Sequence, residues 1–236
     1  MKKLVLTSVL SLAVAGAAFA QGSVNWSTPF ASITAQTNAT VASTFGASAA
    51  PTGTTVGATG GAQSGALFYY ALLYTSYSGS QLAVPTTMAQ LDSQGWLATG
   101  LMATNSNSAG RLSTVAGSTQ VTVPWASGTT QSIVLAGWSA NLGSTWGSVS
   151  NVLSNWNSLS GGIVGNAFFG LSATGYIAAN AANPGTTVFN NAATPQGLPI
   201  FSLNTQLNEV VAVPEPGTLA LAALGGASLL MFRRKK

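Results

Sequence analysis

The chain begins and ends in apolar runs flanked by lysine and arginine, and these runs decide which residues are left to fold together. Met1-Lys2-Lys3 is a cationic start, Leu4–Ala15 an apolar run, and Ala18-Phe19-Ala20 a small-residue site followed by Gln21. That order is the pattern of a secretory leader removed by signal peptidase after Ala20, which makes Gln21 the first residue of the mature chain. At the other end Val213-Pro214-Glu215-Pro216-Gly217 precedes an uncharged segment, Thr218–Phe232, which runs into Arg233-Arg234-Lys235-Lys236. Pro214 and Pro216 fix φ and lack backbone donors, so neither a helix nor a sheet ladder passes through them. A helix over 218–232 is about 22 Å long against a hydrocarbon core of ~30 Å. Arg233 and Arg234 snorkelling to the headgroups, or a thinned bilayer, cover the difference. Gly225 and Gly226 each weaken the helix by about 1 kcal/mol. The segment reads as a transmembrane helix that holds the chain in the inner membrane for a time, with both cationic ends on the cytoplasmic side.

Val-Pro-Glu-Pro, a Leu/Ala/Gly-rich apolar segment and a terminal Arg-Arg-Lys-Lys, in that order over the last 24 residues, resemble the PEP-CTERM sorting signal of exported bacterial proteins. The resemblance implies that an exosortase, a membrane-embedded transpeptidase-like cysteine enzyme, recognises Pro214-Glu215-Pro216 and removes the tail. It implies that the body is then released to, or attached at, the cell surface or extracellular matrix, often in bacteria that make exopolysaccharide. It assigns no activity to the residues upstream. The expected organisation is a signal peptide over 1–20, a body over 21–212 and the sorting signal over 213–236, divided into motif 213–217, transmembrane helix 218–232 and basic tail 233–236.

This partition changes the meaning of the charge. Six of the seven basic residues lie in the two ends, and the body keeps Arg111 against Asp92 and Glu209, a net of one negative charge. A nucleic-acid surface needs clustered Lys and Arg, so nucleic acid is excluded as a partner. The chain has no cysteine, so an exported fold here relies on burial and backbone pairing without disulfides. About 190 residues are ample for one domain with a sizeable core. Its surface has to be built from hydroxyls and amides, with little charge repulsion to keep copies apart.

Short apolar or β-branched runs alternate with turn residues through the body, the rhythm of an all-β sandwich of jelly-roll type. Expected strands are 32–36, 67–74, 96–103, 111–115, 120–124, 131–140, 162–171, 174–179, 199–203 and 209–213. In Gln120-Val121-Thr122-Val123 the alternation puts Val121 and Val123 on one face. Leu67–Tyr74 is continuously apolar, as a central strand covered on both sides would be. The glycines of 46–65 predict a flexible loop. Two segments break the β pattern. Pro85–Gly95 has a hydroxyl cap candidate, Met88 and Leu91 three apart, and a glycine stop. In Thr145–Trp156 the residues Val149, Val152, Leu153 and Trp156 fall at i, i+3, i+4 and i+7, with Ser144 as the candidate cap.

The body lacks the usual catalytic groups. It contains no His, no Cys and no Lys, hence no imidazole base, thiol nucleophile or Schiff-base amine. Asp92 and Glu209 are its only carboxylates, 117 positions apart, and a glycosidase pair must flank one bond. Structural zinc lacks ligands, and a calcium site of carbonyls and amides would be weak. No catalytic residue, cofactor or metal is expected. The aromatics are the other hardware, since rings stack on sugar faces while amides bond sugar hydroxyls, although most rings serve the core. Trp125, beside Pro124 and ahead of Ser127-Gly128, and Trp26 are the candidates for exposure and for contact with exopolysaccharide. Asn25-Trp26-Ser27 and Asn38-Ala39-Thr40 fit a glycosylation sequon at a frequency close to chance. The functional expectation is a non-enzymatic exported surface or matrix protein. A carbohydrate-binding module, or a self-assembling subunit with unprotected strand edges, is the alternative.

Overall fold

A computed structural model describes residues 21–27, 33–41, 55–58, 68–106, 110–114, 119–156, 160–190, 192–200 and 202–210. The described chain is mostly β, as the alternating runs predict. Its thirteen strands in chain order are β1 (Gln21–Asn25), β2 (Ile33–Val41), β3 (Thr55–Ala58), β4 (Phe68–Ser76), β5 (Leu97–Asn105), β6 (Leu112–Thr114) and β7 (Val121–Ala126). They continue with β8 (Thr130–Ser139), β9 (Ala167–Leu171), β10 (Gly175–Ala178), β11 (Thr186–Thr187), β12 (Gly197–Leu198) and β13 (Ser202–Val210). Ten of them form one sheet in the order β3-β2-β13-β9-β8-β4-β5-β6, with β10 on β8 and β12 on β10; the other three form a small sheet, β11-β1-β7. The large sheet curls into a half-barrel, and Ala35 N–H on β2 bonds the Gly110 carbonyl ahead of β6 at 2.8 Å, joining the two flanks of the curl. The two layers are thus unequal, one long curled sheet and one short one, where a jelly roll has two similar sheets.

Strand β8 organises the large sheet. It pairs with β4 at nine consecutive positions, from Phe68↔Ser139 to Ser76↔Gln131. Both strands are buried through most of their length because side chains on both faces are covered. Tyr70, Leu72, Ile133 and Leu135 point to one face, where they meet Val24, Trp26, Val123 and Trp125 of the small sheet and its flanks. Ala71, Leu73, Val134 and Trp138 point to the other. That second face is covered by helices α1 (Met88–Ser93) and α2 (Trp146–Ser154), through Leu91, Val149 and Leu153. The result is three layers, with the large sheet in the middle and the helices supplying a whole side of the core.

On its other side β8 is shared by β9 at 136–138 and β10 at 130–133. Between them the ladder is continued by a side chain: Ser172 Oγ accepts the Leu135 N–H at 2.9 Å, while Ser172 N–H donates to the Leu135 carbonyl at 2.8 Å. Ser172 is buried, so Ser172→Ala leaves an amide of the central strand unpaired. A loss of about 1–3 kcal/mol is expected in urea unfolding, and an unchanged midpoint would show that water reaches the gap.

Both helices follow their sequence patterns. The Thr87 side chain accepts the Gln90 N–H to cap α1, and Gly95, at φ +68°, ends the segment. The α2 cap is Thr145, which accepts the Ser148 N–H at 3.3 Å; the expected Ser144 lies one residue too early. Within the glycine-rich 46–65 stretch, expected as a loop throughout, Thr55–Ala58 forms β3 against β2; the remainder lies outside the described residues. Expected strands 199–203 and 209–213 are replaced by the single strand β13, parallel to β2 and antiparallel to β9. Segment 162–166 is not strand; β9 starts at Ala167. The short strands β1, β11 and β12 were not expected from the sequence.

The outer side of β5, which β6 covers only at Ala103–Asn105, is not a bare template over the rest of its length. Between Ala71↔Met102 and Leu73↔Ala98 the register slips, with Gly100 at φ +88°. Thr99 Oγ1 donates to the Leu72 carbonyl and accepts the Leu101 N–H. A bulge at an edge twists the unpaired groups away from an incoming strand.

Candidate functional site

The residues of the two processing sites meet the described fold at its limits. Ala18 and Ala20 lie outside the described residues, as do Pro214, Glu215, Pro216, the 218–232 segment, Arg233 and Arg234. Gln21 is exposed and opens β1, and the next residues are at once locked in. A Cβ on Gly22 would stand 2.4 Å from the Ala179 Cβ, and Ser23 exchanges backbone bonds with Asn180. At the far end β13 runs to Val210, which pairs with Ala167 at the start of β9. Val210 is the last described residue before the sorting motif. Among the described residues no helix is long and apolar enough to cross a membrane.

The candidate tryptophans do not offer ring faces to solvent. Trp125 is 5% exposed and its ring lies 5.1 Å from that of Tyr74. The physical reason is that the alternation visible at Val121 and Val123 continues through Pro124 to Trp125, so all three face the small-sheet core. Pro124 is accommodated because β7 pairs only with β1 and is an edge strand, where a missing donor is tolerated. The Trp125 indole Nε1 has no hydrogen-bond partner. Trp26 is 2% exposed, donates Nε1–H to the Met102 carbonyl at 3.2 Å and packs 5.1 Å from Phe189. The adjacent Asn25 Oδ1 accepts bonds from the Ser27 N–H and hydroxyl, so that sequon forms a closed turn; the side chain of Asn38 lies outside the described residues.

A different aromatic pair stands at the surface. Tyr77, just past β4, and Tyr176, on β10, are both half-buried and stack with centroids 4.7 Å apart at 24°. The pairing of Tyr176 with Ser132 and of Ser132 with Thr75 puts Tyr176 and Tyr77 on the helix-covered side of the sheet, beyond the helices. Nearby, Gln81, Thr174, Leu198 and Pro199 contribute to an open hollow of about 290 Å³, where Gln81 Nε2 donates to the Thr174 carbonyl at 2.6 Å. The alternation of Gly175-Tyr176-Ile177-Ala178 is a sequence signal for Tyr176 alone, which it sets opposite the buried Ile177; nothing local points to Tyr77 as its partner.

Burial, and then the neighbouring Tyr176, push the Tyr77 hydroxyl above the ordinary tyrosine value. A folded-state value above the unfolded one stabilises fully below the unfolded value, about pH 10, and the contribution disappears as pH rises through the folded value. Urea midpoints are therefore expected to fall above about pH 10, and to fall less in Tyr77→Phe. Equal alkaline losses in both proteins would contradict the coupling.

Asp92 and Glu209 do not converge. Asp92 is on α1, whose Leu91 packs against the second face of the large sheet. Glu209 pairs with Phe168 and shares the parity of Leu207, both of which belong to the first face. The middle layer lies between the two carboxylates. Among the described residues no three of His, Cys, Asp and Glu gather where a metal ion could be held.

No curated protein and no solved structure matches the chain. The description of the PEP-CTERM protein-sorting motif matches residues 212–235. Those residues begin two positions after the last residue of β13, and they carry Pro214-Glu215-Pro216, the apolar run and the arginines. The chain bears a C-terminal PEP-CTERM sorting motif, which makes it an exported protein processed by an exosortase.

Proposed function

We propose that this is a non-enzymatic protein of the bacterial surface or extracellular matrix, whose β-rich body is led out by residues 1–20, held at the inner membrane through 218–232 and freed by cleavage near Pro214–Pro216. The observation that carries this reading is the PEP-CTERM motif at residues 212–235, which follows the last described strand of the sheet. The separation of the only two body carboxylates by the middle layer favours a non-catalytic role, because paired carboxylate chemistry needs both groups at one bond. Intact mass and fractionation of the native protein test the reading. The expected species begins at Gln21, lacks Arg233–Lys236 and is found outside the inner membrane; a full-length chain in the cytosol would sink it.

A second reading is that the body binds exopolysaccharide, and here the specific observation is the Tyr77–Tyr176 stack beside the hollow. A ring face supplies the apolar platform for a sugar and nearby amides and carbonyls supply hydrogen bonds. Native matrix polysaccharide is expected to perturb the Tyr77 and Tyr176 ring resonances and to lose affinity on Tyr77→Ala. Saturable binding unaffected by that change would place the site elsewhere.

A further inference from the structure

We propose that the loop tip Gly161-Gly162-Ile163-Val164-Gly165 is the face with which the body rests on the lipid bilayer while the sorting tail is in place. Val164 is 88% exposed, more than any other large apolar side chain among the described residues. A lone exposed valine is ordinary; its position is what matters here. The tip lies just before Ala167, and Ala167 pairs with Val210, the last residue of the sheet before the tail. Three residues span at most about 11 Å, so Val164 stands close to the last described residue ahead of the tail. Val210 and the tip share the end of the sheet where β8 finishes at Ser139.

The tip is also held in shape. Asn141 Nδ2 donates to the Val164 carbonyl at 3.1 Å and to the Asn166 carbonyl at 3.0 Å. Ile163 turns inward against the helix-side core and Val164 turns out. The nearest charge is Glu209 on β13, which pairs with Phe168 and shares the face of Leu207, the side of the sheet opposite the one on which Ile163 packs. The tip, β9 and α2 themselves carry no charge that would resist the headgroup region by Born cost. Seven residues, 211–217, separate the sheet from Thr218, and a fully extended stretch of that length reaches only about 25 Å. A body tied so closely to the bilayer meets it at a high effective concentration, so a small apolar contact is enough to orient it. The inference rests on the reading that 218–232 sits in the bilayer.

The chain has no cysteine, so single replacements report on chosen places. Val164→Cys, Ser127→Cys in the exposed turn at the opposite end of β8, and Ala223→Cys within the apolar run would each be labelled with an environment-sensitive fluorophore. The full-length protein would be placed in phosphatidylethanolamine–phosphatidylglycerol vesicles containing a lipid-bound quencher. The expected result is quenching at 164 at least about twofold stronger than at 127, together with strong quenching at 223. Quenching at 223 with 164 no different from 127 overturns the inference and leaves the tail in the membrane. No quenching at 223 or 164 overturns both this inference and the reading beneath it. A blue shift at 164 that appears without lipid and grows with protein concentration would identify a second copy of the chain as the occupant, and would also overturn the proposal.

Discussion

A chain ending at Phe201 is expected to lose cooperative unfolding and its near-ultraviolet dichroism, whereas a chain ending at Ala212 should unfold with the midpoint of the whole body. The missing residues between these two ends contain β13. That strand has β2 on one side and β9 on the other, and it places Leu207 in the core at full burial. Without it β2 and β3 have no ladder to the rest of the sheet, and the first face of the core opens on one flank. Removing a strand with two neighbours deletes backbone bonds and buried area together, and the deficit exceeds the roughly 5–15 kcal/mol that keeps a domain folded. Urea titration of both truncations checks this. Equal midpoints would mean that β13 is an ornament of the sheet instead of a member.

The second large effect is expected at Gly170. A Cβ there would lie 1.9 Å from the Gln206 carbonyl oxygen and 3.1 Å from the Leu207 Cα. Both are backbone atoms of β13, so no rotamer change relieves the clash, and β9 has to part from β13. Gly170→Val is expected to cost at least about 3 kcal/mol, which lowers the thermal midpoint by roughly 6–12 °C for a body of this size. The matched control is Gly147→Ala in α2, where an added Cβ meets nothing within 4 Å. That change restricts the unfolded chain and is expected to raise stability by about 0.4–1 kcal/mol. Calorimetry of the two variants separates the local clash from a general effect of glycine replacement.

The parts of the fold that were legible in the sequence are those where apolar residues do the specifying. The run 67–74 reads as central because it is apolar at every step, and Phe68–Tyr74 is covered on both faces. The spacing of Val149, Val152 and Leu153 reads as a helix because three- and four-residue steps share one side. Strand β13 is hard to read as one element because Thr205 and Glu209 share the parity of Leu207, where apolar residues would make the alternation plain, and Gln206 is buried although polar. β1 and β3 are short and poor in large side chains, so pairing across long sequence separations fixes them and no local preference does. Trp125 lies in the core for a simpler reason: Pro124 reads locally as a strand end, while an edge strand can carry a proline and keep alternating. The surface tyrosine pair could not be inferred, since its two members are 99 positions apart and meet only through β8.

The sorting motif was legible because it is local, and the rest of the functional surface was not, because it is assembled from hydroxyls, amides and rings that occur throughout the chain. With three charged side chains in the body, no electrostatic pattern marks one region above another.

The parallel strand contributed by the end of the body sets the order of events during synthesis. Ribosomes deliver the amino end first, so β2 and β9 are both made before β13, the strand that pairs with each of them. The strand that completes the half-barrel is thus the one made immediately ahead of the sorting motif, so the cargo has its full set of described strands only when the chain has grown to the edge of its own address.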